Sequence, residues 1–563
     1  MIQARQLVEA GIAHYDAGRM AKAQQAYGAA LKVVPGHPRA LHLLGVIAHK
    51  TGRPGAAVKF ISQAIKRRPR VAVFHNNLGN ALRQLGKREA SLVAYKRAIA
   101  LAPKMAEAYT NLGIAYFELG QIDESLAAHG QALALKPDSV LAKWNTRLTL
   151  PALYDSKAAI DRHRKRWSEG VKALTDDLDL STPAKAAEAE LAVTLMTNFY
   201  LNYQGRNDVA LQKLYGGLLD RISSAAYPKV PATLEPQVIG PGERIRVGFV
   251  SFFLYHHSVY KTHGAWITGL DKSRFEVHVL YTGRRFDAAT ENVKRNADAF
   301  HNNLHSNRQR IAMIRESKLD VLIYLDIGMH PDMQLMGALR LAPVQCLAGG
   351  HPVTSGLPTM DYFLSSELME PKGAQAHYTE KLVNLPNLAN CYPLPEVPEI
   401  EPQTGRKAVV YLCSQSLFKL LPQYDKLFVR IAEQVPNSNF WFVADRARPV
   451  TEQFRARLAK AFGRANLDFD GRVVIQDRRP HAEFLALNCQ ADVLLDSILW
   501  SGHNSTFDAM ACGLPVVTLP GPMMRARHTY AILTMMGIDE TIASDEDDYV
   551  AIAVRFGKDG RFR

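Results

Sequence analysis

Four columns of residues recur through the first third of the chain at a fixed step of 34: Pro35, Pro69, Pro103 and Pro137; Gly11, Gly45, Gly79 and Gly113; Gly18, Gly52, Gly86 and Gly120; Ala30, Ala64, Ala98 and Ala132. A period of this length constrains the fold more than any single motif, because each unit can bury its apolar face only against the next one. Within a unit the first glycine lets a neighbouring helix approach closely and the second turns the chain. The alanine then sits at a helix crossing, and the proline stops the second helix. A fifth unit starts near Val140 and loses the pattern after Pro151, as a terminal repeat does.

In length and in each of these columns the pattern resembles the tetratricopeptide repeat, which implies an α-helical superhelix with a concave, peptide-binding face. Asn77, Asn111 and Asn145 keep the same phase on the first helices of successive units. A carboxamide both donates and accepts, so these residues are candidates for holding the backbone of an extended peptide. The alternative is that they tie one repeat to the next. Glu9 and Leu43 stand in this column in the first two units, so any ladder is partial.

The 563 residues carry 47% apolar and 22% charged side chains, the balance of a folded soluble chain of about three or four domains. A net charge of +14 suits an anionic partner such as a nucleotide diphosphate, and equally suits mild basicity scattered over a large surface. The basic run RHRKRW reads as a solvated helix face, and with no groove-reading motif beside it a nucleic-acid role ranks last. Five cysteines without a C-x-x-C pair read as free thiols in a reducing compartment. The N-terminal MIQARQLVEAG lacks the apolar core of a signal peptide and no long apolar run follows, so the expectation is a cytoplasmic protein without a membrane span.

Beyond a Pro- and Gly-rich stretch at 227–245 the texture changes. RIRVGFVS, FEVHVLYTG, LDVLIYLD, APVQCLAG and EKLVNLP are short β-rich runs separated by helix-length polar stretches, and AVVYLCSQ, NFWFVADR, RVVIQD, ADVLLDS and LPVVTLPG form a second set. Alternation of this kind predicts parallel sheets and two Rossmann-like lobes facing across a cleft. The predicted organisation is repeats over 1–155, a helical connector over 156–240, and lobes over 241–400 and 401–563.

In such sheets ligands bind beyond the carboxyl ends of the strands. There the segment ADVLLDSILWSGHNSTFDAMACGLPVVTLPG runs from a strand through Ser501-Gly502-His503-Asn504-Ser505 into a helix carrying Asp508. A helix start rich in small and hydroxyl residues offers free N–H groups to a diphosphate. Asp508, one turn in, can accept from ribose hydroxyls. Plain N-capping by Ser505 is the simpler reading of the same residues.

This segment, together with CSQSLFK (413–419) and GGHPVTSGLPTMDY (349–362), is similar to the catalytic half of the O-GlcNAc transferase family, two-lobed GT-B glycosyltransferases fused to tetratricopeptide repeats. The resemblance implies a diphosphate contact at Lys419, phosphate ligands at His503, Asn504 and Ser505, a ribose ligand at Asp508, and base or ribose contacts from His481 and Phe484. Ser416 stands beside the donor where the family has glutamine. Acceptor contacts are implied at His351, Thr354 and Ser355. In VGFVSFFLYHHSVYKTHG (247–264) His257 holds the position of a histidine near the acceptor and is the candidate general base, although Ser258 replaces the family's proline and Phe253 its aspartate. The family pattern also places C-terminal helices beyond the point where this sequence ends.

These expectations combine into an inverting, cytoplasmic transferase that moves N-acetylglucosamine from UDP-GlcNAc to Ser/Thr hydroxyls of polypeptides guided by the repeats. The UDP-sugar is a substrate and no cofactor is expected. SGLPTMDY and LPNLANCYP resemble instead the Spindly-type branch, which implies a GDP-fucose alternative, and Phe253 and Ser416 leave room for a nucleotide-binding scaffold without turnover. Asp468-Phe469-Asp470 spells a metal-binding D-x-D but falls between a helix and a strand, so no divalent cation is expected.

Overall fold

A computed structural model describes residues 1–302, 304–400 and 408–563, in two compact units, Met1–Thr149 and Leu150–Arg563.

The first unit consists of helix pairs: α1 (Ile2–Asp16) with α2 (Met20–Val33), α3 (Pro38–Lys50) with α4 (Pro54–Arg67), α5 (Ala72–Gln84) with α6 (Arg88–Leu101), and α7 (Ala106–Glu118) with α8 (Ile122–Leu135), closed by α9 (Val140–Leu148). The four periodic columns have the structural roles expected of them. A Cβ on Gly11, Gly45, Gly79 or Gly113 would collide with the side chain sixteen positions on, respectively Tyr27, Ile61, Tyr95 and His129. Gly18, Gly52, Gly86 and Gly120 adopt φ between +72° and +78°, the left-handed turn between paired helices.

The second unit holds two parallel sheets. The first contains β1 (Ile245–Ser251), β2 (Phe275–Tyr281), β3 (Ala299–His301), β4 (Val321–Tyr324), β5 (Val344–Ala348), β6 (Tyr362–Ser366) and β7 (Lys381–Leu385), in the order β3-β2-β1-β4-β5-β6-β7. The second contains β8 (Val409–Cys413), β9 (Ser438–Val443), β10 (Val473–Gln476), β11 (Val493–Leu495) and β12 (Val516–Val517), in the order β10-β9-β8-β11-β12. Both are doubly wound, with the order reversing between β1 and β4 and between β8 and β11, so the loops leaving those strands border a crevice in each lobe. Strands β3 and β6 were not anticipated. One is three residues long and the other carries two serines in YFLSS, so neither shows the β-rich run that marks the rest.

The connector is not a spacer. The division between units falls at Thr149, and the helices after it belong to the second unit. Gly216 in the helix Val209–Ala226 lies backbone to backbone against Gly356 (φ +71°), where a Cβ on either would collide with main chain of the other segment. Buried amides finish the joint: Asn198 donates to Gln212 (2.8 Å), Gln212 to Asn202 (3.0 Å), and Gln334 of the first lobe to Asn198 (3.0 Å).

Among the described residues no helix is long and apolar enough to cross a membrane. The five cysteines are free.

Candidate functional site in the cleft between the lobes

The residues leaving β8 and β11 build one end of the site. Asp496, buried at the end of β11, accepts from Ser501 Oγ (2.6 Å), from the Gly502 N–H (2.7 Å) and from Thr518 Oγ1 (2.8 Å), which fixes the loop that starts the helix Asn504–Ala511. Gly502 is required there, because a Cβ would press on Gln415, Thr506 and Ser505. Gln415 donates to Ser505 Oγ (2.5 Å) and accepts from Lys419 Nζ (2.8 Å), joining the ammonium to the helix start. Burial pushes the Lys419 ammonium down to about 8, against the pull of Asp496. Lys419 is therefore charged at neutral pH and only weakly solvated.

Around it stand histidines that burial keeps neutral. His503 falls well below the usual imidazole range, and His528, stacked on it at 4.7 Å, is lowered to about 3, with Lys419 adding to both effects. His351 is also lowered to about 3 and accepts from Asn202 Nδ2 (2.8 Å). Asn390 donates to the Leu388 carbonyl (2.9 Å) and to His503 Nε2 (3.1 Å), which leaves the His503 proton on Nδ1.

The opposite end gathers side chains from both lobes. Asp508 Oδ1 accepts from Tyr392 Oη (2.6 Å) and lies 3.0 Å from His481 Nε2. Lys261, from the first lobe, donates to Tyr392 Oη (3.0 Å) and stands 3.0 Å from the same His481 nitrogen. Tyr392 stacks on Phe507 at 4.7 Å, and Phe484 lies parallel to His481 at 6.5 Å.

At the Lys419 end is a cavity of about 270 Å³. Its walls include Ser258, Thr262 and His351 from the first lobe, Ser416, Lys419, His503, Asn504 and Ser505 from the second, and Tyr203 from the connector. Tyr203 stacks on Trp500 at 3.9 Å to close the back. Among the described lining residues Lys419 is the one cation, and none is Asp, Glu or Cys. A larger hollow of about 370 Å³ lies between the helices Pro183–Val193 and Asn307–Glu316, remote from every strand end that builds this site.

The remaining residues singled out from sequence lie elsewhere or carry other contacts. Thr354 Oγ1 and Ser355 Oγ both donate to the buried Glu380 (2.5 Å each), so these hydroxyls hold the loop after β5. His257 caps the helix Ser258–Thr268: its Nδ1 accepts from the Val259 N–H (3.3 Å), its ring stacks on Phe253 at 4.4 Å, and burial lowers it to about 4. With the Nδ1 lone pair engaged, the neutral ring carries its proton on Nε2 and presents a donor rather than a base.

In the repeats, Asn77 Nδ2 donates to His42 Nε2 (2.8 Å) and Asn111 Nδ2 to Asn76 Oδ1 (3.0 Å), bonds that tie one unit to the next. Asn145 is buried with its Nδ2 unpartnered. Asp468 turns back onto the Gly471 N–H (3.2 Å) and Asp470 pairs with Arg455, so D-x-D forms a turn at the start of β10.

Two doubly wound lobes, with a cationic helix start on one side of the cleft and hydroxyl and imidazole groups on the other, make this a two-lobed α/β fold with its cleft at the strand ends. The sequence pattern of glycosyl transferase family 41 matches residues 199–390 and 401–563, and tetratricopeptide patterns match 8–72, 79–120 and 106–139. The chain belongs to glycosyl transferase family 41, preceded by tetratricopeptide repeats.

Among curated proteins, the probable UDP-N-acetylglucosamine–peptide N-acetylglucosaminyltransferase SPINDLY of Arabidopsis thaliana is 28% identical over 333 residues, 57% of this chain and 36% of that protein. The relative named SEC from the same plant is 26% identical over 340 residues, covering 58% and 34%. The matched regions thus span about a third of each of these relatives. An O-GlcNAc transferase mutant of Thermobaculum terrenum superposes with a TM-score of 0.60 at 22% identity, covering 99% of this chain and 90% of that one, a likeness of fold.

Proposed function

We propose that this transferase moves N-acetylglucosamine from UDP-GlcNAc to Ser/Thr hydroxyls of polypeptides, with inversion and without a divalent cation. The observation that carries this reading is the charge layout of the cleft. One largely desolvated ammonium, Lys419, stands at a helix start among neutral imidazoles, and the Asp508 carboxylate lies one helical turn away. A diphosphate fits the first end and ribose hydroxyls the second. As the acceptor oxygen bonds to the anomeric carbon and the bond to the diphosphate breaks, negative charge grows where Lys419 and the helix N–H groups can stabilise it. A hard cation would find no carboxylate among the described lining residues, which supports metal independence.

The test is calorimetric titration with UDP and GDP, followed by mass spectrometry of serine peptides incubated with UDP-GlcNAc with and without a chelator. Tighter UDP binding with chelator-resistant transfer supports the reading. Tighter GDP binding moves it to the fucosyl alternative, and donor hydrolysis without transfer leaves a scaffold.

A further inference from the structure

We propose that Arg285 of the first lobe and Arg446 and Arg478 of the second form a docking surface for carboxylates of the acceptor, selecting hydroxyls flanked by Asp or Glu. This deepens the transferase reading and rests on it.

All three arginines are exposed and follow strand ends: Arg285 comes after β2, Arg446 after β9 and Arg478 after β10. The Arg285 guanidinium lies 5.0 Å over the Tyr255 ring, which is 5.4 Å from the His257 ring. His256 meets His481 at 6.1 Å across the cleft, so the loop after β1 faces the segment that begins with Arg478. The arginines of both lobes therefore border one mouth. Arg284 and Arg479 add two exposed cations beside them.

Among the described residues these three side chains make no ion pair. Nearby carboxylates are engaged by backbone. Asp287 accepts from the N–H groups of His256, Ala289 and Thr290, and Asp445 accepts from that of Ala447. Asp477 is exposed beside Arg478. Arg446 and Arg478 repel one another, and Arg446 and Arg285, after burial, depress the His257 imidazole. These guanidinium groups make no direct ion pair, and Asp287 and Asp445 offset the charge of Arg285 and Arg478 only in part, so the surplus of cations favours an anionic partner, whose carboxylates guanidinium groups match bidentately. A carboxylate held there would also relieve the positive field on His257, linking acceptor binding to the electrostatics of the loop after β1.

The experiment compares two labelled peptides of about fifteen residues, one serine flanked by glutamates and its glutamine counterpart, binding to the full chain by fluorescence polarisation. The expected result is about tenfold tighter binding of the glutamate peptide at low salt, lost at high salt and in the Arg285→Gln/Arg446→Gln variant. Equal affinities, no binding of either peptide, or a preference that survives in the variant overturns the proposal. The same peptides are then incubated with UDP-GlcNAc. A glutamate preference without transfer keeps the docking surface and removes the transferase reading, whereas equal binding with transfer does the reverse.

Discussion

Lys261 Nζ from the first lobe stands 3.9 Å from Asp508 Oδ1 of the second, with the two side chains 12% and 6% exposed. Tyr392 bridges the pair, accepting from Lys261 and donating to Asp508, with His481 Nε2 3.0 Å from each. Burial lowers the Lys261 ammonium while Asp508 holds it up, so the lobes are joined by a charge whose removal leaves the buried carboxylate without its lysine. Lys261→Met is expected to lower unfolding stability by about 1–3 kcal/mol, read from the denaturant midpoint of the catalytic transition. An unchanged midpoint would show that the bridge carries no net stability.

Burial lowers Lys419 as it lowers Lys261, but its hydrogen bond goes to the Gln415 amide and not towards a carboxylate. Its folded pKa of about 8 lies below the free value of 10.5, so the folded state binds this proton less readily than the unfolded one. Stability rises as pH climbs through about 8 towards 10.5, and at lower pH the buried charge is a cost. Lys419→Met is expected to keep or raise Tm while weakening UDP binding by about ten- to a hundredfold. In the unmodified chain, UDP affinity should fall as pH passes about 8 and the ammonium is lost. An affinity that stays flat through that region, measured by calorimetry, contradicts the assignment.

The two functions of His257, cap and candidate base, can be separated by choice of side chain. Asparagine keeps an N-cap acceptor and removes the imidazole, whereas alanine removes both. Because the cap engages Nδ1, His257→Asn is expected to retain transfer within about threefold, and His257→Ala to lose about 1 kcal/mol of stability. A loss of about a hundredfold or more in kcat in the asparagine variant would instead identify the ring as the base.

The repeat unit carries its own acid sensitivity. His129 is fully buried against Gly113 with both ring nitrogens unpartnered, where Tyr27 and Tyr95 stand in other units. Burial lowers it, and His42 likewise, to about 4 from 6.5. A depressed folded pKa means that the unfolded chain takes up the proton first. The stability present above about 6.5 is therefore lost as pH falls towards about 4. His129→Phe should stabilise the repeats by about 1–3 kcal/mol in mild acid and by less in mild base, followed by helical circular dichroism on heating. Equal gains at both pH values would rule out titration as the cause.

What could be read from the residues alone follows range. The repeats and most strands were legible because periodicity and β-rich runs are local. The helical connector was legible, but its union with the second unit was not, since the joint is made by hydrogen-bonded amides such as Asn198, Asn202 and Gln212, far apart in sequence from the Gln334 they meet. The strand-end loops with Lys419, Ser505 and Asp508 were legible from strand–loop–helix order. Lys261, Tyr392 and Gln415 were not, because each gains its meaning from a partner 90 or more positions away, as in Gln415 with Ser505 and Lys261 with Tyr392. Asp496 gave only a faint signal, an acid closing an apolar strand before Ser-Gly. The capping role of His257 escaped because histidine is not among the usual N-cap residues.

The stack of Tyr203 on Trp500 and the bond from Asn202 to His351 make a stretch that would pass for a hinge into masonry of the catalytic chamber. The chain therefore has one natural seam, at Thr149. Replacing the chain through Tyr203 would take away the chamber's rear wall together with the repeats.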